Sequence, residues 1–125
     1  MDLVPRIPAG RQIISAYGDL GFRVLGRRYE GSLLVFPDRT LPWALSDIGG
    51  LTFGHLAPVL EAEPAVELLL VGCGARAAPL AHELRAAMRA RGVGLEGLDT
   101  GAACRTYNVL LAEGRRIAAA LIAVP

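Results

Sequence analysis

The second half of the sequence alternates short apolar runs with helical patterns, and this alternation constrains the fold more than any other feature. The run at 66–71 is nearly all apolar, which is typical of a central parallel strand covered on both faces. The segments that follow it predict, in order, a helix from Pro79 to Arg91, a strand at 93–99, a helix from Thr100 that ends at Gly114, and a strand at 116–124. The segment 66–124 is therefore predicted to form a βαβαβ core.

The first half predicts short strands and one short helix. Apolar or alternating runs lie at 12–17, 22–25, 32–36 and 41–45, with turn residues between them. Pro42 cannot donate a ladder hydrogen bond, so its strand is predicted to lie at an edge. A helix is predicted within 52–61, where Pro58 fits only the first turn or a kink. Residues 1–11 are expected to form an extended arm.

Together these patterns predict an α/β fold, with N-terminal antiparallel strands and the βαβαβ unit in a mixed central sheet. The chain has 125 residues, with 53% hydrophobic and 20% charged residues. This size and composition are typical of one folded domain, here residues 1–125.

The charge balance excludes several classes of function. The formal net charge is +1, so we expect neither nucleic acid nor an anionic membrane surface as a partner. All basic residues are arginine. The absence of lysine excludes a P-loop lysine, a pyridoxal Schiff base and a lysine nucleophile.

Targeting and redox signals are also absent from the sequence. No apolar run approaches the roughly 20 residues of a membrane helix, and the start lacks a signal-peptide pattern. We therefore expect no membrane insertion and a cytoplasmic location. The two cysteines, Cys73 and Cys104, are expected to be reduced thiols.

A glycine motif follows the first strand of the core. The segment Gly72-Cys73-Gly74-Ala75-Arg76-Ala77 matches G-x-G-x-x-A, and in dinucleotide-binding folds such glycines let backbone amides approach a pyrophosphate. Asp99 ends the next strand, where a ribose-binding acid would stand. Alternatively, the glycines make a turn and Asp99 caps the next helix.

A polar stretch at 99–108 follows the second strand of the core. Because the carboxyl ends of parallel strands share one edge of a sheet, this stretch is expected near the glycine motif. Arg105 and a helix N-terminus could lower the pKa of Cys104, and Cys104 could approach Cys73 as a redox pair. The simpler interpretation is that both thiols are buried in the core.

The remaining polar side chains predict no catalytic set. His55 is interpreted as a capping or surface residue and His82 as a solvated one, and neither has the spacing of a metal site. Trp43 and Tyr17 are predicted to be core or interface anchors. We therefore expect no metal and no cofactor.

Four segments resemble a known family. They are Val71-Gly72-Cys73-Gly74, the helix end from Leu84 to Val93, the motif Asp-Thr-x-x-Ala-Cys-x-Thr-Tyr-Asn at 99–108, and Glu113-Gly114 with the strand to Ile122. Segments 19–24 and 43–45 fit the N-terminal half. The sequence resembles the family of small domains that includes mitochondrial respiratory complex I assembly factor 3, and the motif at 99–108 is the most specific part.

This resemblance implies a three-layer α/β domain and a non-enzymatic protein-interaction or assembly factor linked to respiratory complex I (NADH:ubiquinone oxidoreductase). Its protein partners would be complex I subunits or assembly intermediates. The alternative hypothesis is a small enzyme or binder of a nucleotide-like ligand at the carboxyl ends of the strands. For either function the candidate ligand or partner site comprises Gly72, Cys73, Gly74, Asp99, Thr100, Cys104, Arg105, Tyr107 and Asn108, with no assigned catalytic residue.

Overall fold

A computed structural model describes residues 9–125 of the chain, which begin with a three-stranded antiparallel sheet. Its strands are β1 (Ile14–Gly18), β2 (Gly21–Val24) and β3 (Arg27–Glu30), in that order. Asp19 and Leu20 form the first turn with positive φ angles of 51° and 59°. The Arg28 guanidinium donates to the Asp19 carbonyl at 2.8 Å and so holds this turn against β3.

The second sheet has five strands and is mixed. Its strands are β4 (Leu33–Phe36), β5 (Arg39–Pro42), β6 (Leu68–Gly72), β7 (Gly94–Leu98) and β8 (Ile117–Leu121). They lie in the order β5-β4-β8-β6-β7. β6 is parallel to both β7 and β8, whereas β4 is antiparallel to β8 and β5. The predicted βαβαβ unit, the mixed sheet and the edge position of Pro42 are confirmed.

Within residues 9–125, three α-helices complete the fold: α1 (Ala57–Leu60), α2 (His82–Ala90) and α3 (Thr100–Ala112). A 3₁₀ turn, Phe53–Leu56, leads into α1, whose first turn contains Pro58, one of the two positions predicted for it.

The helices divide the core into two clusters on opposite faces of the five-stranded sheet. On one face, α1 and α2 bury Val59, Leu84 and Met88 against Leu69 and Val71 of β6. The cluster on the other face contains Leu70 of β6, residues of α3 and residues of the three-stranded sheet. Each face of β6 is therefore covered, which explains its nearly continuous apolar sequence.

Two sequence predictions are wrong. First, α2 begins at His82, not at Pro79. Residues 77–81 have no regular secondary structure and lie against β7, where a Cβ at Gly97 would lie 3.0 Å from the Ala78 carbonyl oxygen. Leu80, in this segment, is buried in the core. Burial of Leu80 against β7 thus takes the place of a first helical turn.

Second, β3 lies where the sequence predicts only turn residues between two strands. None of its four residues is buried, so the apolar pattern that marks a strand is missing. The predicted N-terminal arm lies largely outside the described residues. Within them, the Gln12 backbone N–H donates to the Pro37 carbonyl at 3.1 Å.

Candidate functional site

Thr100 connects the carboxyl ends of the three parallel strands. Its hydroxyl accepts from the Gly74 N–H at 3.0 Å, just after β6, and donates to the Ile122 carbonyl at 2.8 Å, just after β8. Its own N–H donates to the Gly74 carbonyl at 2.8 Å. The residue is fully buried. We call Gly72, Cys73, Gly74, Asp99 and Thr100 the strand-end rim.

Gly72 allows the close packing of this rim. A Cβ at this position would lie 3.0 Å from the Thr100 Cα and 3.0 Å from Leu121 Cδ2. Gly74 has a φ of 112°, which favours glycine. The two glycines of the motif thus serve a turn and a close approach to α3.

The rim amides are engaged within the protein. The Cys73 N–H donates to the Leu98 carbonyl at 2.7 Å, and the Gly74 N–H donates to Thr100. A phosphate cradle requires backbone N–H groups that point at the ligand. These contacts leave neither amide free for a pyrophosphate.

Asp99 caps α3, as one of the two interpretations predicted. Its carboxylate accepts from the Ala102 N–H at 2.8 Å, and its backbone is extended. A carboxylate at this position satisfies an orphan donor and suits the positive end of the helix dipole.

The two cysteines belong to different sides of the sheet. Cys73 packs in the cluster beneath α2, and Cys104 packs in the cluster beneath α3. Burial raises the pKa of the Cys104 thiol to about 12, although Arg105 acts to lower it. Arg105 thus acts in the direction that the sequence suggested, but burial of the thiol outweighs it. The geometry favours the simpler interpretation of two buried core thiols.

Tyr107 and Asn108 face the three-stranded sheet. Tyr107 is fully buried, and its hydroxyl has no hydrogen-bond partner among the described residues. Asn108 makes two hydrogen bonds to the Ile14 backbone, one donated at 2.7 Å and one accepted at 2.9 Å. Both residues therefore hold α3 against its neighbours.

Arg105 is the exposed member of the candidate set. Its guanidinium donates to the Tyr17 hydroxyl at 3.2 Å. Tyr17 is 44% exposed and lies over α3 at Gly101, where a Cβ would come within 2.5 Å of the Tyr17 hydroxyl. One turn further along α3, Val109 is 58% exposed. We call Tyr17, Arg105 and Val109 the α3 patch.

The sequence does not reveal this patch as a unit. Tyr17 is predicted to be an anchor and Arg105 a site residue, but 88 positions separate the two. The i, i+4 spacing of Arg105 and Val109 was the one available signal, because such residues share a helix face.

His55 takes a structural position, whereas His82 is exposed at the start of α2. His55 Nδ1 accepts from the Thr52 N–H at 3.0 Å and so caps the turn before α1, as predicted. The carbonyl of His55 accepts from the Trp43 indole N–H at 2.9 Å. Over residues 9–125, no group of three or more His, Cys, Asp or Glu side chains is placed to hold a metal ion.

The sequence of this chain matches one known protein family. The family described as "Protein of unknown function (DUF498/DUF598)" matches residues 14–122, which span both sheets and all three helices. The chain belongs to the DUF498/DUF598 family.

Relatives of this DUF498/DUF598 protein include one with a named role. An uncharacterised protein of Rhodobacter capsulatus is 39% identical over 98% of this chain and 95% of its own length. The human NADH dehydrogenase [ubiquinone] 1 alpha subcomplex assembly factor 3 is 34% identical over 100% of this chain and 68% of its own length. The resemblance inferred from the sequence is confirmed, and an assembly-factor role is present in the family.

A solved structure shares the DUF498/DUF598 fold described here. A Bartonella henselae protein, described as an outer membrane protein, superposes with a TM-score of 0.85 at 37% identity, over 96% of this chain and 100% of that chain. In residues 9–125 of the present chain, no helix has the length and apolar character to cross a membrane.

Proposed function

We propose that this chain is a single-domain, non-enzymatic assembly factor that binds a subunit or an assembly intermediate of a respiratory NADH dehydrogenase. One observation carries the proposal: the similarity to human assembly factor 3 extends over 100% of this chain. The α/β domain as a whole is therefore the part that the two proteins share.

The geometry of the strand-end rim supports a binding role over a catalytic one. Open α/β sheets place their ligands at the carboxyl ends of the strands. Here Thr100 fills that position and engages Gly74 and Ile122. Asp99 is engaged as a helix cap. The rim thus stabilises the fold and leaves recognition to another surface.

The α3 patch is the surface that we assign to the protein partner. Tyrosine and arginine are enriched among residues that dominate binding energies at protein interfaces. Tyr17 is held over Gly101 and hydrogen-bonded by Arg105, so part of its side-chain freedom is already lost before binding. Val109 adds an apolar contact beside the charge. The complementary partner surface would present a carboxylate next to an apolar side chain.

The expected location is the cytoplasm, where such a factor would meet soluble subunits before they join the membrane-bound complex. The formal net charge of +1 gives no electrostatic footprint for nucleic acid. Protein partners alone are therefore proposed.

Affinity purification from the native cell tests the proposal. A tagged wild-type chain is expected to recover NADH dehydrogenase subunits. A variant with Arg105→Glu and Val109→Glu should recover them at the level of an untagged control, since two like charges replace a cation and an apolar contact. Recovery of no such subunit by the wild type would contradict the proposal.

The matched control carries Arg89→Glu and Ala86→Glu. Both residues are exposed on α2, on the opposite face of the sheet, and the change in charge is the same. This control should recover as many subunits as the wild type does. It thereby separates loss of the α3 patch from a general effect of added negative charge.

A further inference from the structure

A cavity lies at the edge of the five-stranded sheet opposite the strand-end rim. It has a volume of about 280 Å³ and is bordered by the end of β4 at Phe36, the approach to β6 at Val66 and the start of β8 at Ile117. Since β6 and β8 are parallel and β4 is antiparallel to β8, these three points share one edge. The cavity is thus separate from the rim, and the proposed function does not involve it.

The floor of this cavity is apolar and rigidly placed. Phe36, Val66, Leu111 and Ile117 line it, and each is no more than 6% exposed. Phe36 and Ile117 lie in strands, and Leu111 lies in the last turn of α3. An apolar floor fixed by secondary structure is typical of a preformed ligand pocket.

Arginines surround the mouth of the cavity. Arg11, Arg39, Arg115 and Arg116 line it, against the two acidic side chains Asp38 and Glu63. The lining therefore carries an excess of positive charge, although the whole chain is nearly neutral.

Two of these arginines lack an ion-pair partner in the described part of the chain. Arg39 contacts Asp38 at 3.2 Å, and Arg116 contacts Glu67 at 3.8 Å. Within residues 9–125, Arg11 and Arg115 form no salt bridge with an acidic side chain. Among the described residues, no ion pair therefore competes with an outside anion for these two guanidinium groups.

Arg39 is oriented by the floor itself. Its guanidinium carbon lies 4.2 Å from the centroid of the Phe36 ring, a favourable cation–π arrangement. A planar guanidinium held in this way has less freedom to lose when it binds a carboxylate in a bidentate fashion.

We propose that this cavity binds a small organic carboxylate with a short apolar body, whose carboxylate meets Arg11 and Arg115 while the body lies against Pro37, Pro64 and Ala65. The volume lies just below the usual range of ligand pockets, about 300–1,000 Å³, which limits the ligand to a compact molecule. Pro37 is half-buried, and Pro64 and Ala65 are exposed. A bare inorganic anion would gain nothing from burying this apolar part of the lining.

Titration of the ¹⁵N-labelled full chain with hexanoate, monitored by NMR, tests the proposal. Hexanoate is expected to bind saturably and to shift the backbone amides of Phe36, Val66 and Ile117, while those of Gly74 and Ala102 stay in place. Acetate, hexanol and inorganic phosphate should each bind about tenfold more weakly or not at all, because acetate and phosphate lack the apolar body and hexanol lacks the charge.

Substitutions test whether Arg11 and Arg115 contact the carboxylate. Arg11→Gln with Arg115→Gln should weaken hexanoate binding by about tenfold or more, while Arg89→Gln on α2 leaves it unchanged. An unchanged ¹⁵N spectrum away from the cavity shows that the double variant is folded, and Arg115→Gln alone gives a milder second test.

Three results would overturn the proposal. They are the absence of saturable hexanoate binding, equal affinity for hexanol or phosphate, and an affinity that does not change when Arg11 and Arg115 are replaced. None of these results bears on recovery of protein partners through the α3 patch, so the two proposals can fail independently.

Discussion

The side chain of Asn108 in α3 pairs with the backbone of Ile14 in β1 as a strand neighbour would. Its Nδ2 donates to the Ile14 carbonyl at 2.7 Å, and its Oδ1 accepts from the Ile14 N–H at 2.9 Å. The two residues are separated by 94 positions. This pair links the three-stranded sheet to α3 and so fixes the surface on which Tyr17 meets Arg105.

Replacement of Asn108 should destabilise this connection. Asn108→Ala is expected to lower the free energy of unfolding by about 2 kcal/mol, because two hydrogen bonds are lost and the Ile14 backbone groups are left unpaired. Hydrogen exchange at the Ile14 amide should accelerate relative to that at Leu70. Thr106→Ala, a half-buried neighbour on α3, should change neither measurement appreciably.

Thr100 should be far more sensitive to loss of its hydroxyl than to loss of its methyl group. Thr100→Val is expected to cost about 2–3 kcal/mol in urea unfolding, since the buried Gly74 N–H and Ile122 carbonyl each lose a partner. Thr100→Ser should cost about 1 kcal/mol, because only a methyl group is removed. Equal losses in the two variants would show that the hydrogen bonds at this position contribute little.

Cys104 should be unreactive in the folded protein. Burial raises its pKa from 9.0 to about 12, so the thiolate fraction near neutral pH is far below that of a free cysteine. Labelling by a thiol reagent at pH 8 should therefore require unfolding. Rapid labelling of both thiols in the native state would contradict the burial described here.

The same pKa shift predicts a loss of stability at alkaline pH. The folded state holds the Cys104 proton more tightly than the unfolded state, so this contribution is fully present below pH 9 and is lost as the pH rises toward about 12. Urea unfolding of Cys104→Ala should show a weaker decrease in stability over this interval than the wild type.

The Tyr107 hydroxyl should contribute nothing to stability. It is buried without a hydrogen-bond partner in the described part of the chain, and burial also raises the pKa of Tyr107 above its usual range. Tyr107→Phe is expected to change the free energy of unfolding by less than about 0.5 kcal/mol or to increase it. Tyr107→Ala should cost about 3–5 kcal/mol. A loss of about 2 kcal/mol or more in Tyr107→Phe would show that the hydroxyl has a partner.

The core of the fold could be predicted because its signals are local. The apolar run of β6 and the glycine that follows α3, Gly114 with a φ of 73°, each appear within a few residues of sequence. β3 could not be predicted, since an exposed strand such as Arg27–Glu30 carries no apolar period. The predicted start of α2 was wrong because Leu80 is buried against β7. Helix propensity carries no information about such a tertiary contact.

The candidate site was predictable in position but not in role. Parallel-strand geometry correctly brought Gly74 and Thr100 together. The sequence does not show whether their polar groups face a ligand or each other. The close approach of Gly72 to Thr100 brings these groups together, so that they bond to each other. The arginine-lined cavity joins residues distant in sequence, so no local pattern could reveal it. In the α3 patch, only Arg105 and Val109 are linked by a local pattern, and Tyr17 lies 88 positions from Arg105.

The level of assembled NADH dehydrogenase in a deletion strain tests the central claim most directly. Native gel electrophoresis with in-gel activity should show less intact complex in the strain that lacks this chain. A wild-type copy should restore it, and the Arg105→Glu, Val109→Glu copy should not, whereas the Arg89→Glu, Ala86→Glu copy should. A normal amount of intact complex in the deletion strain would contradict the proposed function.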